Sequence, residues 1–139
     1  MREILFRGKR IDNGEWIEGY YATQSNHACF ANELKYQHFI FKDVCLDFNL
    51  GWLQKFEVIP ETVGQYTGLT GKNGKKIFEG DIVEYKEVSG EIVYHDQKAM
   101  FSVCFDTWLT DFDHLYGKDV EIVGNIHDNP ELLKGGEGE

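Results

Sequence analysis

Apolar residues recur at every second position in short runs along this chain, and Gly, Asn and Asp separate the runs. That is the pattern of half-buried strands joined by tight turns. The segments 4–10 and 16–21 flank Asn13-Gly14, a pair that accepts positive φ at low cost, and together they predict a hairpin. In its second arm Trp16, Glu18 and Tyr20 fall on one face, and Ile17, Gly19 and Tyr21 on the other. Both faces carry large apolar groups, which predicts a strand covered on both sides or one at an oligomer contact. Residues 24–27 read as a turn and 28–31 as a short strand. An aromatic-rich strand follows at 36–44, then a loop at 47–51. A strand at 52–59 ends at Pro60, which has no N–H to give a ladder.

The second half repeats the pattern at closer spacing. Asn73-Gly74 marks another tight turn, and strands are expected at 82–85, 91–94 and 100–105. The turns between them read as 87–90 and 95–98. Short strands about ten residues apart suggest a small barrel meander. Residues 107–116 suit a short helix, with Thr110 as cap and Asp111 and Asp113 near its positive end. A last strand is expected at 120–124. Asn129 and Pro130 then suit the N-cap and first position of a single helical turn. The expected class is therefore mainly β with minor α. An N-terminal hairpin or sheet is expected to pack with an SH3-like small barrel over about 58–134, ending in a short C-terminal helical turn. One domain is expected over 1–134, with 135–139 as a disordered tail.

Composition changes this picture in two ways. A chain of 139 residues has the usual size of one domain and needs no metal or disulfide staple. The net charge of −10 repels duplex DNA unless a local basic patch overrides it. The three cysteines, at 29, 45 and 104, are widely spaced and contain no C-x-x-C. They are expected to be small buried apolar residues. The first residues, Met1-Arg2-Glu3-Ile4, lack the apolar core of a signal peptide, and no apolar run approaches membrane length. The expected location is the cytoplasm, with no membrane partner.

Three segments carry a family resemblance. They are Leu5-Phe6-Arg7-Gly8, the stretch 58–69 (VIPETVGQYTGL) running on through 72–83 (KNGKKIFEGDIV), and 124–133 (GNIHDNPELL). In this order, and across nearly the whole chain, they resemble the YopX family of phage and prophage proteins. Gly71 and His127 stand where that family often has an acidic and an aromatic residue. The resemblance implies a phage or prophage origin in a bacterial host cell and a mainly-β fold. It implies no activity, so no catalytic residue is carried over. Read physically, these segments are fold determinants. Gly80 permits a tight entry into the next strand, and Asp81 can accept backbone hydrogen bonds there. Asn125 and Asp128 suit local capping.

Candidate chemistry is thin. Residues 68–73 (GLTGKN) have two residues between the glycines and Asn after the Lys, so they are a turn and not a phosphate loop. Asp106, Asp111, Asp113 and His114 are the densest carboxylate–imidazole group, but a solvated, capped helix start explains the same residues and is the favoured reading. His127-Asp128 would point to opposite faces of a strand. No catalytic residue, metal ligand or cofactor is assigned. Trp16, Tyr20 and Tyr21 are the candidate partner contact, and Lys72, Lys75 and Lys76 the candidate phosphate contact. The leading expectation is a non-enzymatic, protein-binding module that forms homo-oligomers and engages a host or phage protein. Alternatives are a nucleic-acid accessory protein, an acidic inhibitor that mimics nucleic acid, and a small metal-dependent enzyme around Asp106, Asp111 and His114.

Overall fold

The computed structural model describes residues 3–26, 35–46, 50–105, 109–112 and 119–134. Within them the chain is mainly β, in antiparallel sheets, with an α-helical turn at Glu131–Lys134 (α1). It divides into two compact units, Ile4–Gln65 and Tyr66–Glu139, the latter with the first three residues.

The first unit contains β1 (Phe6–Lys9), β2 (Trp16–Asn26), β3 (Lys35–Leu46), β4 (Leu50–Glu57) and the start of β5 (Gly64–Thr70). β1 pairs with β2 on one edge and with Gly64 and Gln65 on the other. β3 pairs with β2 through its first half and with β4 through its second. Its core is Ile17, Ile40 and Val58, with Phe6, Tyr21, Phe56 and Val63 packed around them. A 3-10 turn at Pro60–Thr62 closes this unit. The Thr62 hydroxyl donates to the Ile59 carbonyl and accepts from the Lys9 N–H, tying the turn to β1.

Tyr66–Thr70, the remainder of β5, begins the second unit and pairs with β6 (Lys76–Phe78). A five-stranded sheet follows. It comprises β7 (Asp81–Tyr85), β8 (Val88–His95), β9 (Met100–Cys104), β10 (Leu109–Asp111) and β11 (Glu121–Asn125), in the order β10-β9-β8-β7-β11. Ile77, Val83, Ile92, Val103, Phe105, Phe112 and Val120 form its buried core. The sheet is a four-strand meander, β7 to β10, and the fifth strand, β11, returns beside β7. Among the described residues no ladder joins β10 to β11, so these pairings do not establish the expected closure into an SH3-like barrel.

Several local expectations give way to tertiary pairing. Gln24, Ser25 and Asn26, read as a turn, continue β2 because Gln37, Tyr36 and Lys35 pair with them. Leu109–Asp111 is a strand on β9 and not part of a helix. Cys104 is exposed at the end of β9, because strand alternation turns its neighbour Val103 into the core and Cys104 to the opposite face. Cys29 lies outside the described residues.

The expected turn at 87–90 sits earlier. Tyr85 pairs with Val88, so Lys86-Glu87 forms a two-residue hairpin turn with φ of 50° and 70°. Two-residue turns of this kind want Asn-Gly, and two long side chains with positive φ cost about 1 kcal/mol each. Replacing Lys86-Glu87 by Asn-Gly should therefore raise stability by about 1 kcal/mol in urea denaturation. A neutral or destabilising result would show that this turn carries no strain.

Candidate functional site

The outer surface of the first unit is set by register. Lys9 faces Trp16 and Arg7 faces Glu18 across β1–β2. Tyr20 faces Phe41, and Ala22 faces Phe39, across β2–β3. Phe41 and Phe39 in turn face Lys55 and Glu57 on β4. Paired residues share a face, so one side of this sheet carries Arg7, Lys9, Trp16, Glu18, Tyr20 and Phe41. The opposite side carries the core.

Cations cover the aromatic rings on this face. The Arg7 guanidinium lies 4.6 Å from the Trp16 ring centre, and the Lys9 ammonium 5.5 Å from it. The Lys55 ammonium sits 4.6 Å above Phe39. Phe39 is buried yet stands outside the core cluster, 6.3 Å from Phe41. Tyr20 is 56% exposed and lies at the open end of this array. Stacked cations hold an aromatic surface hydrated at its rim while leaving ring edges available, a composition suited to recognition.

Tyr21 belongs elsewhere. Strand alternation turns it to the core face, where it packs on Phe6 at 5.4 Å and stacks on His38 at 5.9 Å. Its hydroxyl hydrogen-bonds His38 Nδ1. Burial pushes the Tyr21 phenol pKa up, so the group stays protonated and is not a phenolate nucleophile. Trp16 and Tyr20 thus share a surface, and Tyr21 does not. On the face of β2 opposite the core Glu18, Tyr20, Ala22 and Gln24 are exposed, so this strand is not covered on both faces within the described residues.

A shallow cleft of about 300 Å³ lies in the same unit, between the β1–β2 turn and β4. Arg10, Asp12, Lys55, Phe56 and Glu57 are among its lining. Arg10 stacks on Phe56 at 4.5 Å and donates to both Asp12 oxygens, at 3.0 and 2.6 Å. The side-chain hydrogen bond from Arg10 holds the Asp12 carboxyl below its ordinary range. Sequence reasoning missed both this cleft and the cover on Trp16. The contact between Lys9 and Trp16 follows only once the length of the β1–β2 loop, and hence the register, is known.

Lys72, Lys75 and Lys76 are exposed around the Asn73-Gly74 turn. Lys72 lies 3.8 Å from Glu121, and Lys76 sits over the Tyr66 ring at 5.9 Å. A nearby carboxylate lowers the local positive potential that phosphate binding would use. Of the carboxylate–imidazole group, Asp106, Asp113 and His114 lie outside the described residues, and Asp111 pairs with Lys98 at 3.3 Å. Among the described residues no group of three His, Cys, Asp or Glu side chains could hold a metal ion. No described helix is long and apolar enough to cross a membrane.

The three sequence segments that carry the resemblance all do structural work. Arg7 pairs with Gly64 and Phe6 with Gln65, joining the first segment to the second. Asp81 Oδ2 accepts the Phe78 N–H at 2.8 Å, and the Gly80 carbonyl accepts the Ile126 N–H at 2.9 Å, joining the second to the third. Asn125 Oδ1 accepts from the His127 and Asp128 N–H groups, and its Nδ2 donates to Asp128. The model of the YopX protein family matches residues 5–134. The chain belongs to the YopX family. The chain is also similar to the crystal structure of protein EF1440 from Enterococcus faecalis, at 25% sequence identity and a TM-score of 0.56. The match covers 96% of this chain and 99% of that one. No curated protein matches this YopX chain.

One ionisable group in the second unit is out of its ordinary range. Burial, with a smaller contribution from the Glu79 charge, raises the Glu91 pKa above 4.5. The folded state therefore holds this proton more tightly than the unfolded state. Stability falls as pH rises through the interval from 4.5 to the raised folded value, and the full penalty applies above it. Glu91→Gln removes the penalty. The variant is expected to melt higher than the parent at pH 7, by roughly a few degrees, with the gap closing at acid pH. A gap that widens in acid would show the sign to be wrong.

Proposed function

We propose that this YopX protein is a non-enzymatic protein-binding module, encoded by a phage or prophage, self-associating, and acting in the bacterial cytoplasm. The observation that carries the reading is the face built by Arg7, Lys9, Trp16, Tyr20 and Phe41. There, exposed or half-exposed aromatics alternate with cations on a rigid sheet. Aromatic and Arg side chains are the types that dominate binding energy at protein interfaces. The family resemblance supports the phage or prophage origin.

The test is a tagged pull-down from cells carrying the phage, with and without nuclease, using the parent and a Trp16→Ala/Tyr20→Ala double variant. Both side chains lie outside the core cluster, so the circular dichroism spectrum should not change. A protein retained through nuclease by the parent, and released by the double variant, is the expected result. The cation cover on Trp16 also favours a second reading, single-stranded nucleic-acid binding. Recovery of nuclease-sensitive nucleic acid alone, with a steep salt dependence, would replace the first reading by the second.

A further inference from the structure

We infer that the free edge of β2 pairs with the same edge of a second copy, antiparallel about a two-fold axis at Thr23. The inference rests on the self-association part of the function proposed above. It deepens that reading by naming the strand, the register and the occupant.

Among the described residues the edge is unpaired from Tyr20 to Asn26. β1 reaches β2 only from Trp16 to Gly19. From Tyr20 to Asn26 the strand pairs with β3 alone, without a bulge. Among the described residues no backbone hydrogen bond reaches its other side. β4 does not extend beside residues 35–37, so Gln24–Asn26 and Lys35–Gln37 form a two-stranded arm. Such an arm has marginal stability in water without a further strand.

The edge also lacks the usual protection. Proteins blunt exposed edges with charges, Pro, bulges or very short strands. Tyr20-Tyr21-Ala22-Thr23-Gln24-Ser25-Asn26 contains no charge, no Pro and no Gly, in a chain that is 27% charged. Outer strands elsewhere among the described residues are blunted. β4 carries Lys55 and Glu57. β6 and β10 have three residues each, and β11 has a bulge between Ile122 and Gly124.

Charge and chemistry select a second copy as the occupant. The unit Ile4–Gln65 has six basic against eight acidic residues, whereas the rest of the chain carries eight against sixteen. Copies of an acidic protein therefore repel least through this unit, and least of all through its uncharged strip. Binding a foreign strand selectively needs pockets for alternate side chains; the exposed Ala22, Thr23 and Gln24 are too small to build them. A self-paired strand needs no pockets, and a two-fold contact closes after one step, leaving no further edge. An axis at Thr23 pairs all seven residues of the segment. It sets Thr23 against Thr23, Ala22 against Gln24, Tyr21 against Ser25, and Tyr20 against Asn26. Tyr36, 60% exposed and opposite Ser25, then lies in the same row as Tyr21 of the second copy.

The register makes a discriminating test possible. Only a residue on the axis meets itself, so Thr23→Lys and Thr23→Glu each place two like charges directly opposite one another. Each variant alone should dimerise about tenfold more weakly than the parent in light scattering across a concentration series. An equimolar mixture of the two should regain dimer, as a mixed species identified by native mass spectrometry. Thr23 is exposed, so both variants should keep the parent circular dichroism spectrum. A dimeric parent whose assembly neither variant changes would overturn the edge pairing while leaving self-association standing. Weakening by both variants without rescue in the mixture would overturn the axis at Thr23. A parent that stays monomeric at every concentration would overturn the pairing and self-association together, but not the partner binding read from the pull-down.

Discussion

Gly19→Ala is expected to be the most damaging single-methyl change in the first unit, lowering stability by about 3 kcal/mol or more. A Cβ on Gly19 would stand 2.2 Å from the carbonyl oxygen of Phe41 and 3.0 Å from its carbonyl carbon. Both are backbone atoms, which cannot rotate away as a side-chain end can. The clash falls where Tyr20 pairs with Phe41, at the start of the β2–β3 ladder. Relief requires β3 to lift from β2, which would open the contact between Ile17 and Ile40 in the core. Gly14→Ala is the control. Gly14 has φ of 73° with nothing within 4 Å of a built Cβ, so its cost is conformational only, about 1 kcal/mol. Urea denaturation followed by tryptophan fluorescence and circular dichroism measures both. A Gly19→Ala variant no less stable than Gly14→Ala would mean that β3 shifts freely at this crossing.

The second large effect is expected at Asp81. This carboxylate is 2% exposed and accepts the buried Phe78 N–H at 2.8 Å. It holds the turn in which Gly80, with φ of 93°, reverses the chain between β6 and β7. The Gly80 N–H donates to the Ile92 carbonyl, and the Gly80 carbonyl receives the Ile126 N–H. One turn thus connects β8 to the segment before α1. Asp81→Ala removes this acceptor in a site closed to water, at a cost of roughly 2–3 kcal/mol. Asp81→Asn keeps a side-chain oxygen and should recover about half of that loss. Equal losses in the two variants would shift the explanation from the hydrogen bond to the negative charge. Loss in neither would remove Asp81 as a determinant of the turn.

The damage expected at Asp81 bears on how the family segments should be read. The family model matches residues 5–134, and within that range several polar residues of the three segments are occupied with backbone groups. Thr62 bonds Lys9 and Ile59, Asp81 bonds Phe78, and Asn125 bonds His127 and Asp128. The open edge and most of the recognition face lie instead between the first two segments, on β2 to β4, with Arg7 of the first segment and Lys9 next to it contributing the cations over Trp16. Scaffold and surface are therefore carried largely by different parts of the chain, and Arg7 serves both.

Much of this was legible in the order of residues. Alternation over a few positions is enough to call for strands, because the side-chain period of a strand is two. Asn13-Gly14 and Asn73-Gly74 mark positive φ by their own conformational preference, and Gly14 and Gly74 adopt it at 73° and 82°. The mainly-β class, the buried Asp81 cap, the capping by Asn125 and the final helical turn all follow from local chemistry of this kind. Tertiary structure decided whatever depends on which strand lies beside which. It turned Tyr21 to the core and Tyr20 to the surface, since a two-residue period puts them on opposite faces but cannot say which face meets the core. It made Leu109–Asp111 a strand, because β9 offered unpaired backbone groups that outweigh a weak helix cap. It extended β2 through Gln24, Ser25 and Asn26 for the same reason. It placed Arg7 and Lys9 over Trp16, which requires the register of β1 on β2. Local propensity is set by a residue's own torsions and reaches a few positions along the chain. Pairing and burial depend on residues tens of positions away, and no pattern in one strand specifies them.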